Sequence, residues 1–132
     1  KGKIKDKLHK NERIMLDGAH AKADAINMSG YLKKIKDPKY AIWAMMKNKE
    51  PDLFIKQFKG IFKKIITISI ENEKNCMSAK DLKSIAKKNH FDVDTADSFD
   101  KGLKKISSAN KKLIVCLGSL YNVGNILNKN YR

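Results

Sequence analysis

Asp17-Gly18-Ala19-His20 places an acid, a glycine and an imidazole within four residues. The group follows Arg13-Ile14-Met15-Leu16, a short apolar run. A polar acid and a glycine after such a run mark the carboxyl edge of a buried strand. A carboxylate there could accept hydrogen bonds from a ribose, or position an ammonium or a metal. Gly18 permits close approach of backbone to ligand. His20 would lie in the first helical turn, where it can donate to an anion and where neutral imidazole is favoured over the cation. A second reading stands beside this one: Asp17 is an N-cap and His20 a surface residue. Gly118-Ser119 closes the apolar run Lys112–Leu117. A helix starting there offers free N–H donors and a hydroxyl to a carboxylate or phosphate. Its alternative is a serine cap on a buried helix. Lys47-Asn48-Lys49 is the third group, with cations and an amide at a strand edge. In so lysine-rich a chain a solvated loop is the commoner outcome.

The remaining reactive types have simpler readings. Cys116, within an apolar strand, reads as an inert core thiol. Cys76 lies in a loop with nothing beside it to activate it. His9 and His90 have no partners at ligand spacing, so no metal site is expected in this segment. Trp43 reads as core, and Tyr121 as core or as the border of an edge pocket. The sequence has no GxxxxGK[ST] loop, GxGxxG fingerprint, nucleophile elbow or triad spacing. A complete ATP-dependent active site is hard to assemble from these residues, whereas a contributing half of one is easy.

The elements that must position these groups alternate. Strands are expected at residues 13–16, 40–45, 64–70, 91–96 and 112–117. Helices are expected over 19–35, with Ala25, Met28, Leu32 and Ile35 on one face, and after Pro51, carrying Leu53, Phe54, Phe58 and Ile61. A third follows Ser78, an N-cap with Asp81 three residues on. A fourth follows Ser98, carrying Phe99, Leu103 and Ile106, and a fifth covers 120–128. Such alternation implies βαβ units and a parallel sheet covered on both faces, whose ligands bind at the carboxyl edge.

The chain has 132 residues, one domain's worth, with 42% hydrophobic residues and a formal net charge of +15. Residues 1–12 read as a basic tail or linker remnant and 13–132 as a single α/β domain. A first residue of Lys rather than Met is what a fragment or processed product would show. Of 29 basic residues only Arg13 and Arg132 are arginines. The arginine forks of sequence-specific nucleic-acid readers are thus nearly absent. The charge attracts anions such as nucleotides and polyglutamates without specifying one. Neither a specific nucleic acid nor a membrane is expected as partner, since no apolar run approaches ~18 residues. Two distant cysteines fit a reducing, cytoplasmic setting.

Three segments together carry a family resemblance. Ile14-Met15-Leu16-Asp17-Gly18-Ala19-His20 resembles the LDGAHN motif of the C-terminal domain of folylpolyglutamate synthases, including the bifunctional dihydrofolate synthases. The stretch from Ile42 to Glu50 resembles their FGxxxDKD strand and loop. The stretch from Val115 to Gly124 resembles their VxGSLYLVG ending. The three follow in the family's order and at about its spacing. The sequence departs from the pattern at Ala21-Lys22, where the family has Asn-Pro, at Ala44 in place of glycine, and at Asn48 in place of aspartate.

The resemblance implies a Mur ligase C-terminal domain: a three-layer Rossmann-like unit with a mostly parallel five- or six-stranded sheet, its antiparallel member upstream of residue 12. It implies an ATP- and Mg2+-dependent ligase that joins glutamate to folate or dihydropteroate through an acyl phosphate. The phosphate loop and metal ligands are expected in an N-terminal ATPase domain, the partner of this one, so the isolated segment is expected to be inactive. By position, Asp17, His20 and Lys49 correspond to nucleotide contacts, and Ser119 and His20 to glutamate contacts. His20 has only a positioning role in catalysis. The alternative is a stand-alone nucleotide- or anion-binding module without ligase activity.

Overall fold

Short apolar runs bounded by Pro, Gly and Asp set the strands, and the lysine-rich amphipathic stretches between them set the helices. In the computed structural model, residues 12–16 are described as backbone, and residues 22–70, 73–106, 108 and 110–118 with their side chains. The order is β1 (Glu12–Leu16), α1 (Lys22–Lys33), β2 (Lys39–Ala44), a 3-10 turn (Lys47–Lys49), α2 (Pro51–Lys56), β3 (Lys64–Thr67), α3 (Ala79–Lys88), β4 (Val93–Thr95), α4 (Phe99–Ile106) and β5 (Lys112–Gly118). The five described strands form one sheet in the order β1-β5-β2-β3-β4, and every pairing is parallel. The antiparallel strand implied upstream of residue 12 and the helix expected over 120–128 lie outside the described residues.

The last strand in sequence occupies the middle of the sheet. β5 pairs with β1 on one side and β2 on the other, and all seven of its residues are buried. A strand enclosed on both faces has no polar face to show, which is why it reads as an unbroken apolar run. Alternate residues separate into two cores. Ala41, Trp43, Met45, Ile65, Leu113, Val115 and Leu117 meet residues of α1, α2 and α3 on one face. Ile42, Ala44, Ile66, Ile114 and Cys116 meet Phe99, Leu103 and Ile106 of α4 on the other.

This division follows from chain direction. The connections β1→β2, β2→β3 and β3→β4 all step the same way across the sheet, and β4→β5 steps back. With right-handed crossovers, the returning connection must pass over the opposite face. The result is the three-layer arrangement, with parallel sheet and flanking helices on both sides.

Two lysines belong to the core rather than to the solvated surface. Lys39 and Lys112 begin the adjacent strands β2 and β5 and are buried. The Lys39 ammonium donates to the carbonyl of Ile35, just beyond α1, and to that of Asp37 at 3.0 Å. The Lys112 ammonium donates to the Asn110 carbonyl at 2.9 Å and to Ser108, 6.0 Å from the Tyr40 ring centroid. Each apolar stem is covered while its charge meets carbonyl oxygens.

The helix expected after Pro51 is shorter than its apolar spacing suggests. It ends at Lys56 and gives way to turns through residue 61, and Gly60 has φ +79°. Phe54, Phe58 and Phe62 nevertheless form one aromatic row. Phe54 lies 6.2 Å from Trp43, and the two later ring pairs are 5.4 Å apart. β3 is likewise shorter than the run 64–70. Its ladder ends at Thr67, although Ile68 and Ile70 remain buried.

Candidate functional site at the carboxyl rim

Parallel strands bring their carboxyl ends to one rim, where the chain leaves regular structure and free backbone groups become available. Leu16 ends β1, Gly118 ends β5 and Ala44 ends β2, and these three strands are neighbours. Leu16 is in register with Cys116, and Ala44 with Gly118. Asp17, His20 and Ser119 lie outside the described residues. Asp17 directly follows Leu16 in sequence, and Ser119 directly follows Gly118.

Gly118 is a steric requirement. Its φ is +121°, and a Cβ built on it would stand 1.4 Å from the carbonyl oxygen of Ala44. No side chain fits there, so the final residue of β5 must be glycine for β2 and β5 to remain paired to their ends.

Lys49, the described member of the expected nucleotide set, sits in the 3-10 turn that follows β2. Its amide donates to the Met46 carbonyl at 3.3 Å. The Lys49 side chain is half-buried, while Lys47 and Asn48 are exposed. The turn ends at Glu50, which adopts the left-handed conformation with φ +50° and ψ +64°. Pro51 then opens α2 in the position where its missing N–H is harmless. The Glu50 carbonyl accepts from the Phe54 amide at 3.1 Å.

A second segment, read from sequence only as a loop, runs alongside this turn. Met46 and Cys76 form an antiparallel bridge. The Lys47 amide donates to the Asn75 carbonyl at 2.8 Å, and the Met77 amide to the Met45 carbonyl at 2.8 Å. Met77 packs against the core of the first face, and Cys76 and Met46 against that of the second. One signal for this segment was present in the sequence. Met77 precedes the cap Ser78 and Leu82 lies four residues beyond it, the spacing of a hydrophobic staple. The cap itself is formed: the Asp81 amide donates to Ser78 Oγ at 3.0 Å.

The other candidates resolve plainly. Cys116 is wholly buried in β5, and burial pushes its thiol far above the ordinary range, so it stays protonated and inert. Trp43 is core, and its indole N–H has no partner among the described residues. Among the described residues no group of three His, Cys, Asp or Glu side chains could hold a metal ion. No helix among them is long and apolar enough to cross a membrane. A cavity of about 400 Å³ bordered by Lys59, Lys63, Phe62, His90 and Asp92 lies elsewhere, where the chain enters β3 and β4. It is at the opposite rim from the expected ligand contacts.

Comparison with known proteins agrees with this architecture. Residues 1–129 match the family model described as "Dihydrofolate synthetase, C-terminal domain". No curated protein sequence matches the chain. Among solved structures, Mycobacterium tuberculosis folylpolyglutamate synthase complexed with ADP and AMPPCP superposes with a TM-score of 0.79 at 16% identity, over 90% of this chain and 30% of that one. Escherichia coli FolC in complex with DHPP and ADP gives 0.74 at 18% identity, over 87% of this chain and 28% of that one. Thermotoga maritima folylpolyglutamate synthase gives 0.73 at 24% identity, over 89% and 27%. The chain thus spans less than a third of the length of each of these proteins. With the model covering nearly every residue and the sheet built as described, the chain belongs to the dihydrofolate synthetase C-terminal domain family.

Proposed function

We propose that this chain is the C-terminal domain of an ATP-dependent ligase that adds glutamate to folate or dihydropteroate. The observation that carries the reading is the family match over residues 1–129, joined to the convergence of the β1, β5 and β2 ends at one rim. In this reading Asp17 accepts hydrogen bonds from the adenosine side of the nucleotide, and Lys49 opposes its phosphate charge. His20 stands between phosphates and incoming glutamate, and Ser119 donates to a glutamate carboxylate. All four hold and orient reactants, and none is a nucleophile.

The reaction has two steps. A substrate carboxylate oxygen attacks the γ-phosphorus, and the bond to ADP breaks. The glutamate amine then attacks the acyl carbon, losing a proton and expelling phosphate. In this reading Mg2+ and the phosphate loop belong to an N-terminal ATPase domain, the partner in this proposal. The setting is the cytoplasm. The isolated chain accordingly contributes contacts without turnover.

The test has two parts. This chain mixed with ATP, Mg2+, dihydropteroate or reduced folate, and glutamate should release no ADP. The intact protein should sustain ADP release over many turnovers only when glutamate and the second substrate are both present. Asp17→Ala should raise KM for ATP, and Ser119→Ala KM for glutamate. One feature favours a second reading, a binding module without ligation: Ala21-Lys22 stands where the family has Asn-Pro. Nucleotide binding without any glutamate-dependent ADP release in the intact protein would select it.

A further inference from the structure

The turn that carries Lys49 is too short to fix itself. It holds three residues, enters from the extended Met46, and is closed by Glu50, a left-handed non-glycine residue. Its described internal tie is the 3.3 Å bond from the Lys49 amide to the Met46 carbonyl, whereas at its base the Lys47 amide donates to the Asn75 carbonyl and the Met77 amide to the Met45 carbonyl, each at 2.8 Å. These two bonds flank the Met46–Cys76 bridge, so residues 75–77 act as a short extra strand laid against β2 where it leaves the sheet. The segment is pinned at both faces. Met77, partly buried, packs against the first core and Cys76, also partly buried, against the second, with Cys76 Sγ donating to the Ile70 carbonyl at 3.6 Å. Immediately downstream, the Ala79 amide donates to Ser69 Oγ at 3.1 Å, and Thr67 Oγ1 donates to the Ala79 carbonyl at 2.7 Å. The start of α3 is thereby tied to the end of β3.

We infer that Cys76 and Met77 are positioning residues for the nucleotide contact at Lys49: packed against opposite cores, they hold residues 75–77 against the base of the Lys47–Lys49 turn and so set where the Lys49 ammonium stands. The inference rests on the reading of Lys49 as a nucleotide contact. Neither side chain meets ligand. They act by removing alternative positions of the turn, which lowers the ordering cost when an anion binds.

A double-mutant cycle on the intact protein tests this, with the Kd for AMPPNP as readout. The paired change Cys76→Ala/Met77→Ala should weaken binding at least about threefold when Lys49 is present, and less than twofold in the Lys49→Ala background. It should also speed hydrogen exchange at the Lys47 amide. Cys76→Ala/Met77→Leu, which restores the bulk at position 77, should recover most of the affinity. Equal weakening in both backgrounds would show general loosening of the domain and overturn the inference. Unchanged affinity alongside faster Lys47 exchange would overturn it as well. If Lys49→Ala alone leaves the Kd unaltered, the assignment of Lys49 fails instead, and the two failures are thereby distinguished.

Discussion

Replacing Gly118 by alanine deletes no atom, and its predicted cost follows from what the added methyl displaces. The added Cβ would stand 1.4 Å from the Ala44 carbonyl oxygen, against an ordinary contact of about 3.5 Å. Strands β2 and β5 must therefore separate by about 2 Å at that end. The last paired positions, Trp43 with Leu117 and Ala44 with Gly118, are lost first. Two ladder hydrogen bonds at about 1 kcal/mol each, backbone strain of about 1–2 kcal/mol and repacking of a wholly buried strand place the total near 5 kcal/mol. That is comparable to the whole stability of a small domain. Urea unfolding followed by Trp43 fluorescence is a suitable assay. This single tryptophan is fully buried and stacked on Phe54, so its emission shifts red on exposure. Gly118→Ala should abolish the cooperative transition or move its midpoint far down. Gly102→Ala is the control. Its new methyl would meet Ile66, Ile42 and Ala96 at 3.4–3.8 Å, ordinary contact, and it should be neutral or stabilising. A Gly118→Ala protein within about 0.5 kcal/mol of the parent would refute the account of the rim.

Three further outcomes are expected. Gly30 is exposed within α1, and nothing lies within 4 Å of where its Cβ would be; Gly30→Ala should stabilise by about 0.8–1 kcal/mol and raise the thermal midpoint by several degrees. His90 has φ +68° and follows the helix cap Asn89, with the Phe91 amide donating to the Ala86 carbonyl at 3.1 Å; His90→Gly should stabilise by about 1 kcal/mol by relieving the left-handed backbone, and a loss on urea unfolding would contradict that. Asp52 is held below the usual carboxyl range by the Asn89 side chain and then by Lys56, and Asp94 by the Thr95 amide and then by Lys105. A depressed carboxyl contributes stability that is present above its unfolded pKa and lost as pH falls through the folded one, so stability should decline below about pH 4. Asn89→Ala should flatten that decline between about pH 5 and 3, and an equally steep urea profile would count against it.

Most of the sheet was legible because its strands are enclosed. LIVCL and AIWAM have no polar position to hide, and the Ser78–Asp81 spacing marks the start of α3 in the sequence as clearly as in space. The short α2 was less legible for a physical reason. Phe54, Phe58 and Phe62 recur at helical spacing, but they satisfy a row of tertiary contacts across backbone that Gly60 has already turned away. The run 64–70 overstated β3 because β-branched residues remain buried after the ladder stops, where β4 offers only three residues to pair with. Lys39 and Lys112 were invisible among so many lysines, since burial of a stem depends on where its strand starts and not on its own type. At the site, the rim was readable from the strand ends. The segment behind Lys49 was not, because its hydrogen bonds are backbone to backbone and carry almost no residue signature.

The place of β5 in the sheet has a consequence for how the protein is made. Of the described strands β1 is synthesised first, yet its described partner in the sheet is the strand that begins at Lys112. About a hundred residues of chain must wait before β1 and β2 can be joined through it, and the loop so closed carries all four described helices. Such long-range pairing is slow to form and leaves strand edges open meanwhile. Nascent chains stopped short of β5 should therefore fail to close their sheet and depend on chaperones, whereas extension past Gly118 should produce protease resistance in a single late step.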